Sequence, residues 1–231
     1  VNGTHVAAIM PALNEEAAIG NVLQSLPHSL LRSVIVVDNG STDATAAIAA
    51  NHGATVVLQP ERGYGAACLR GIAEAQRQGA TVVVFLDADG ADDPTDIASV
   101  LQPVVQGNAD MVIGSRARGT RESGSLTLPQ RFGNWLATWL IAAIWQVRFT
   151  DLGPLRAISM SALEGLAMQD RTYGWTVEMQ IKAAKRRLRC AEVPVRYRRR
   201  VGVSKISGTI RGTVMAGTII LSTIARHALR R

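Results

Sequence analysis

The sequence predicts an α/β fold in which a mostly parallel central sheet is flanked by helices on both faces. Short runs rich in Val and Ile alternate with helix-patterned segments from His5 to Gly114, the order that builds parallel strands through crossover helices. These runs are continuously apolar rather than alternating, as expected of strands covered on both faces. Acidic residues follow the second and fourth runs, at the strand ends where open sheets of this kind bind ligands.

The elements follow in order. His5–Met10 reads as a buried strand and Glu15–Leu26 as a helix. Ser33–Val37 is a second strand, and Ser41 is placed to cap a helix running to Asn51. Ala54–Leu58 is a third strand, followed by a helix over Tyr64–Arg77. Thr81–Leu86 is the fourth strand, and Asp93 caps a helix that opens at Pro94 and continues over Thr95–Val105, with Asp96 in its first turn. Met111–Gly114 is the fifth strand. Residues 115–128 are polar, rich in Gly, Ser and Arg, and read as a loop. A helix is expected over Arg131–Arg148, added strands at Leu155–Ser159 and Arg189–Val195, and a last helix from Ile206 to Leu229. The expected organisation is one continuous domain of two halves, residues 1–120 and 121–231.

The chain's 231 residues suit one α/β domain, and 47% hydrophobic content is enough for a substantial core. The net charge of +7 favours anionic partners. The basic tract lacks aromatic interleaving and any recognised nucleic-acid motif, so a nucleic-acid partner ranks last. Cys68 and Cys190 form no metal-ligand spacing and no disulfide framework, which points to a reducing, cytoplasmic setting. No leader-like segment stands before the first strand. The longest uncharged stretch, Phe132 to Val147, is shorter than the roughly 20 apolar residues of a membrane span.

Two strand ends carry chemistry. Asp38, opening Asp38-Asn39-Gly40-Ser41-Thr42-Asp43, sits at the carboxyl end of a hydrophobic strand, where its carboxylate can accept a hydrogen bond from a nucleobase N–H. Asp87-Ala88-Asp89 places two carboxylates on one side of an extended segment. Such a pair repels itself unless a cation lies between, and a hard divalent ion bridging substrate phosphates fits it. The alternative, a solvated acidic turn, suits an isolated pair better than one behind a buried strand. Gly63-Tyr64-Gly65 is a partial dinucleotide fingerprint lacking its third glycine, and close backbone approach at a helix start explains it more simply.

Pro11-Ala12-Leu13-Asn14-Glu15-Glu16, Val37–Asp43, Asp87-Ala88-Asp89 and Gly114-Ser115-Arg116 together resemble family 2 glycosyltransferases with the type-A fold, over about the first 120 residues. Arg131 with Asn134, Asp151–Arg156 and Arg200–Lys205 are similar to the branch of dolichyl-phosphate mannose synthases and polyprenyl-phosphate glycosyltransferases. The resemblance implies a nucleoside-diphosphate-sugar donor, UDP favoured over GDP, held by residues 1–120, a lipid-phosphate acceptor held by residues 121–231 with interfacial helices, and inversion at the anomeric carbon. It implies a donor set of Pro11, Ala12, Leu13, Glu15, Asp38, Gly65, Asp87, Ala88 and Asp89, with Mg²⁺ or Mn²⁺ on Asp87 and Asp89, and acceptor-phosphate contacts from Arg116, Arg131, Arg200 and Ser204. Leu13 stands where the synthases often have an aromatic residue. Ala91 stands where they often have Gln, with Asp92 beside it as a substitute ligand.

The expected catalytic groups are Asp89, Arg116, Asp151 and Glu178. A phosphate acceptor is already ionised and needs no base, whereas a hydroxyl acceptor does. Glu178 is the candidate base, with a helix-surface pair to Lys182 as its ordinary alternative. Asp151 is a second candidate base or an organiser of the site. The Trp-bearing helix reads either as a core helix or as an interfacial one, and the basic residues from Lys182 to Arg200 either as a solvated surface or as an attraction to anionic lipid. The last helix lies on the membrane, covers the sheet or pairs with a second subunit. A non-catalytic nucleotide-sugar-binding module is the alternative of a different class, and metal-dependent donor turnover separates the two.

Overall fold

The computed structural model describes residues 3–202 and 210–229. Its strands are β1 (Val6–Ala12), β2 (Ser33–Asp38), β3 (Thr55–Leu58), β4 (Val82–Phe85), β5 (Met111–Ser115), β6 (Arg156–Ser159) and β7 (Cys190–Pro194). The helices are α1 (Glu16–Gln24), α2 (Thr45–Asn51), α3 (Tyr64–Arg77), α4 (Ile97–Val105), α5 (Leu128–Trp145), α6 (Met160–Leu166), α7 (Trp175–Lys185) and α8 (Ile210–Leu229). They form a single α/β domain around one sheet of order β3-β2-β1-β4-β6-β5-β7. All neighbours are parallel except β6, which runs antiparallel to both β4 and β5. A strand from the second half of the chain is thus inserted between two strands of the first half.

Alternation along each strand fills both faces. Ile9, Val37, Phe85, Ile113 and Ile158 point to one side, where Trp175 and Met179 of α7 and Ile141 of α5 cover them. Met10, Val36, Val84, Val112 and Ala157 point to the other, against Ile19 and Leu23 of α1 and Ile97, Val100 and Leu101 of α4. This two-sided burial is why the strands read as unbroken apolar runs.

Local chemistry sets several boundaries. Asp93 accepts the Thr95 amide at 3.1 Å, with Pro94 opening a 3₁₀ turn over Pro94–Asp96 that leads into α4. Helix α5 begins at Leu128, earlier than expected. Thr127 and Gln130 form a reciprocal capping box, with Pro129 in the first turn, and Gln146 ends the helix at φ 58°. Helix α2 begins at Thr45 rather than at Ser41, because the Ser41 hydroxyl accepts the Asn14 amide at 3.0 Å and so ties the β1–α1 loop to the β2–α2 loop. Helix α6 had no counterpart in the sequence reading. Its cap is Ser159, whose hydroxyl accepts the Ala162 amide at 3.3 Å. The expected start of the last helix at Ile206, and Ser204, lie outside the described residues.

Candidate active site

From β1 the chain steps to β2 and β3 on one side, then returns to β4 on the other. The carboxyl ends of β1 and β4 therefore flank a topological switch point, where an open sheet leaves a crevice. That crevice is a cavity of about 620 Å³, lined among others by Pro11, Ala12, Leu13, Glu15, Asn39, Asp87, Ala88, Asp89 and Arg200. Residues as far apart in the chain as Pro11 and Arg200 are brought together by the order of the strands.

One wall of the cavity is held by Asn39. Its amide donates to the carbonyls of Gln59 and Glu61 at 2.9 and 2.7 Å and accepts the Gly63 amide at 2.8 Å. Asp38 is buried beside it, with one oxygen accepting the Ser41 amide at 3.0 Å. Asn39 and not Asp38 is among the lining residues. Gly63 and Tyr64 line the cavity, whereas Gly65 faces the Asp170–Arg171 backbone, and its amide donates to the Thr172 carbonyl at 3.1 Å. This corrects its expected place in the donor set. A Cβ at Gly65 would overlap the Asp170 carbonyl oxygen. Gly65→Ala is expected to cost about 1–3 kcal/mol of stability and to weaken nucleotide binding by displacing Thr172 and Tyr173, read by urea unfolding and by nucleotide titration.

The acidic end of β4 holds Asp87, Asp89 and Asp92. Tyr64 donates its hydroxyl to Asp87 Oδ1 at 3.0 Å. Burial, and then the Asp87 charge, keep that phenol protonated by pushing its pKa well up. Asp89 Oδ1 accepts the Ala91 amide at 2.9 Å, and its Oδ2 lies 3.4 Å from Arg200 Nη1. Asp92 faces the same loop, its Oδ2 accepting the Asp87 amide at 3.4 Å, and its Oδ1 is buried without a hydrogen-bond partner among the described residues. Burial, then the charges of Asp87 and Asp89, push its pKa well up. Among the described residues no cluster of three metal-ligating side chains forms. Asp87 and Asp89 alone suit a hard cation whose other positions are filled by phosphate oxygens and water.

The Asp87 pKa is pushed up to about 7, first by burial and then by the Asp89 charge. The folded carboxyl therefore keeps its proton at pH values where the unfolded chain has lost it. This contribution to stability is present near the ordinary carboxylate pKa and is lost as pH rises through about 7. A divalent cation held by Asp87 would have to displace the same proton. Its affinity is expected to fall about tenfold per pH unit below neutrality and to level off above it, as Mn²⁺ titrations across that range would show.

Beyond β4 lies an arginine system. Asp151 Oδ2 accepts the Arg116 amide and Nε at 2.7 and 2.8 Å, and Oδ1 accepts Nη2 at 2.6 Å. Burial opposes the Arg116 charge, but Asp151 more than offsets it and raises the guanidinium pKa. Arg116 also lies over the Tyr197 ring, 4.9 Å from its centroid. Asp151 is thus the anchor of Arg116. Arg131 lies apart from the donor cavity, in a second cavity of about 370 Å³ with Arg121, Asn134, Trp135, Phe149 and Asp151. The acceptor-phosphate set is therefore divided: Arg131 lines this smaller cavity, while Arg200 lines the larger one. Glu178 is buried rather than at the helix surface. It accepts the amides of Gln169 and Asp170 and pairs with Lys182 at 2.8 Å, so its carboxylate is committed to the loop before α7.

The sequence reading missed Tyr64, Asn39 and Arg156. Arg156 is fully buried, donates to the carbonyls of Leu152, Gly153 and Thr176, and faces Trp175 at 6.0 Å. It thereby fixes the loop carrying Asp151. Its sequence signals are its place at the end of the Asp151–Arg156 segment and at the start of an otherwise apolar strand.

The model of glycosyl transferase family 2 matches residues 7–163. An uncharacterized glycosyltransferase of Mycobacterium tuberculosis is 36% identical over 217 residues, 93% of this chain and 95% of that protein. The dolichyl-phosphate hexose transferase of Haloferax volcanii is 32% identical over 222 residues, 93% of this chain and 92% of its own length. The UDP-N-acetylglucosamine–dolichyl-phosphate N-acetylglucosaminyltransferase of Methanococcus voltae is 32% identical over 209 residues, covering 81% and 83%. Among solved structures, glucosyl-3-phosphoglycerate synthase of Mycobacterium tuberculosis with Mn²⁺, UDP and glucosyl-3-phosphoglycerate shares the fold at TM-score 0.76 and 23% identity, covering 98% of this chain and 80% of that one. A switch-point cavity ending in paired carboxylates, on a chain matched along most of its length, leads to one conclusion: the protein is a glycosyltransferase and belongs to glycosyl transferase family 2.

Proposed function

We propose that the protein transfers a hexose from a UDP-sugar to a polyprenyl-phosphate-type lipid, with inversion at the anomeric carbon. The carrying observation is the pair Asp87 and Asp89 at the mouth of the switch-point cavity, with Tyr64 and Arg200 beside them. Pro11, Leu13 and Asn39 line the wall available to the nucleoside. Asp87 and Asp89 would hold Mg²⁺ or Mn²⁺, which supplies charge neutralisation to the departing diphosphate. Arg200 adds a fixed positive charge in the same cavity, and such preorganised charge is worth most where water is excluded.

The acceptor class rests on two supports. Relatives covering most of the chain are named for dolichyl-phosphate acceptors. A hydroxyl acceptor also needs a base, and the two candidate carboxylates are engaged, Asp151 by Arg116 and Glu178 by the 169–170 amides and Lys182. A phosphate is already ionised and needs none. Incubation of labelled UDP-sugars with Mn²⁺ and either polyprenyl phosphate or 3-phosphoglycerate tests this. Label in the organic phase is expected, and label in a water-soluble product alone rejects the lipid acceptor.

The same reading places the protein on an anionic membrane face. No helix among the described residues is long and apolar enough to cross a membrane. On α5, however, Phe132, Trp135 and Trp139 are 60%, 57% and 54% exposed. Their rings follow one another at 5.8 and 6.5 Å, with Arg131 beside them. Indoles of this kind seat at head-group level while basic residues meet anionic lipid. Trp135→Ala with Trp139→Ala is expected to lower partition onto anionic vesicles at least about tenfold with an unchanged melting temperature. Unchanged sedimentation with vesicles removes the membrane face from the proposal.

A further inference from the structure

We infer that Arg200 is a resident counter-ion of the donor site, occupying Asp89 until the metal and the diphosphate arrive together. The inference rests on the reading of Asp89 as a metal-holding residue and goes beyond it.

Asp89 has one oxygen committed to structure, since Oδ1 accepts the Ala91 amide. The other, Oδ2, is the one left for a cation, and Arg200 Nη1 already stands 3.4 Å from it. Arg200 is held there from its own side. Its Nη2 donates to Glu15 Oε1 at 2.8 Å, across the same cavity. The backbone around it is strapped to the acidic loop, with the Arg198 amide on the Ala91 carbonyl at 2.8 Å and the Val201 amide on the Asp89 carbonyl at 2.9 Å. Yet the guanidinium is not fully used, because its Nε is buried without a hydrogen-bond partner among the described residues. A buried donor left unpaired marks an arrangement with a better partner elsewhere. Oxygens of a diphosphate bound in the cavity that Arg200 lines would be such a partner.

The chemistry sets an order. A divalent ion entering without the donor must compete with a guanidinium for Asp89 and would leave two cations facing each other. A diphosphate entering with the ion brings the negative charge that draws Arg200 off Asp89. Metal and donor then strengthen each other's binding by an equal factor, and the strap carrying Arg200 reports that the donor is in place.

The test is binding rather than turnover. Free Mn²⁺ is measured by electron paramagnetic resonance during titration of the full chain, with and without UDP, for the parent, Arg200→Ala, Arg200→Lys and Asp89→Asn. Removing the competing cation is expected to tighten Mn²⁺ binding to the UDP-free site about tenfold and to reduce the enhancement by UDP by a similar factor. Arg200→Lys, which keeps a cation there, should stay close to the parent. Arg200→Gln serves if the truncation unfolds. The inference is overturned if Arg200→Ala binds Mn²⁺ no tighter than the parent while Asp89→Asn loses it. Should Asp89→Asn bind Mn²⁺ as the parent does, the metal assignment itself fails, and that result is separate from the first.

Discussion

Asp89→Asn is expected to lower sugar transfer by about three orders of magnitude while leaving the protein folded. The substitution keeps the shape of the side chain, and an amide oxygen can still accept the Ala91 amide, the contact that fixes Asp89 in the loop. What it removes is the negative charge at Oδ2, the oxygen now facing Arg200. In a site that is 7% exposed at this residue, a charge that positions the neutraliser of the leaving group acts without much screening. Losing one preorganised electrostatic contact of this kind typically costs about 10²–10³ in rate, and here the binding of the cation is lost as well. Two measurements bear on this. Transfer from a labelled donor should fall steeply and should not recover with excess Mn²⁺. The melting temperature of the parent should rise with UDP and Mn²⁺ together, in line with occupancy of the native state, while that of the variant should not. A variant that keeps the metal-dependent rise would show that the ion sits elsewhere.

The fold was legible where local patterning decides it. The five strands before residue 115 and the helices between them follow from continuous apolar runs, cap residues and the length of each segment, and all of them form. Beyond that point local information runs short. The strand β6 is four residues long and antiparallel, and its place between β4 and β5 depends on pairings with Val82–Phe85 and Met111–Ile113, distant in the chain. No periodicity within Arg156–Ser159 encodes that choice. The site divides in the same way. Asp87 and Asp89 announce themselves by carrying charge at the end of a buried strand. Tyr64 does not, because a tyrosine at a helix start acquires meaning only through the groups the sheet brings to it, and Arg156, though part of the Asp151–Arg156 segment, shows its buried role only once those groups are in place. Glu178 shows the converse. Its i+4 partner Lys182 was readable and the pair forms, but the two loop amides that bury the carboxylate come from residues 169 and 170, folded back over the helix start.

Asp151→Ala is expected to cost about 3–5 kcal/mol of stability, the largest single loss among the residues around the site. Both oxygens of Asp151 are bound by Arg116, and the two side chains are 2% and 12% exposed. Truncating the acid strands a guanidinium that has little access to water, which is far worse than removing the pair. The comparison with the double variant Arg116→Met, Asp151→Leu separates packing from chemistry. Replacing a buried pair by apolar groups of similar volume is often neutral or better, so the double variant should recover most of the stability in urea unfolding. It should not recover transfer if Arg116 acts on the phosphates, because methionine offers no donor there. The carboxylate also receives the Arg116 amide at 2.7 Å, so the backbone leaving β5 shifts in either variant. Arg116→Lys is the control for that shift. It leaves Asp151 in place for the amide and keeps a cation, but it cannot span both carboxylate oxygens while presenting a further N–H outward. A stable Arg116→Lys protein with strongly reduced transfer would assign the loss to the guanidinium, whereas full activity would leave Arg116 with a purely architectural role.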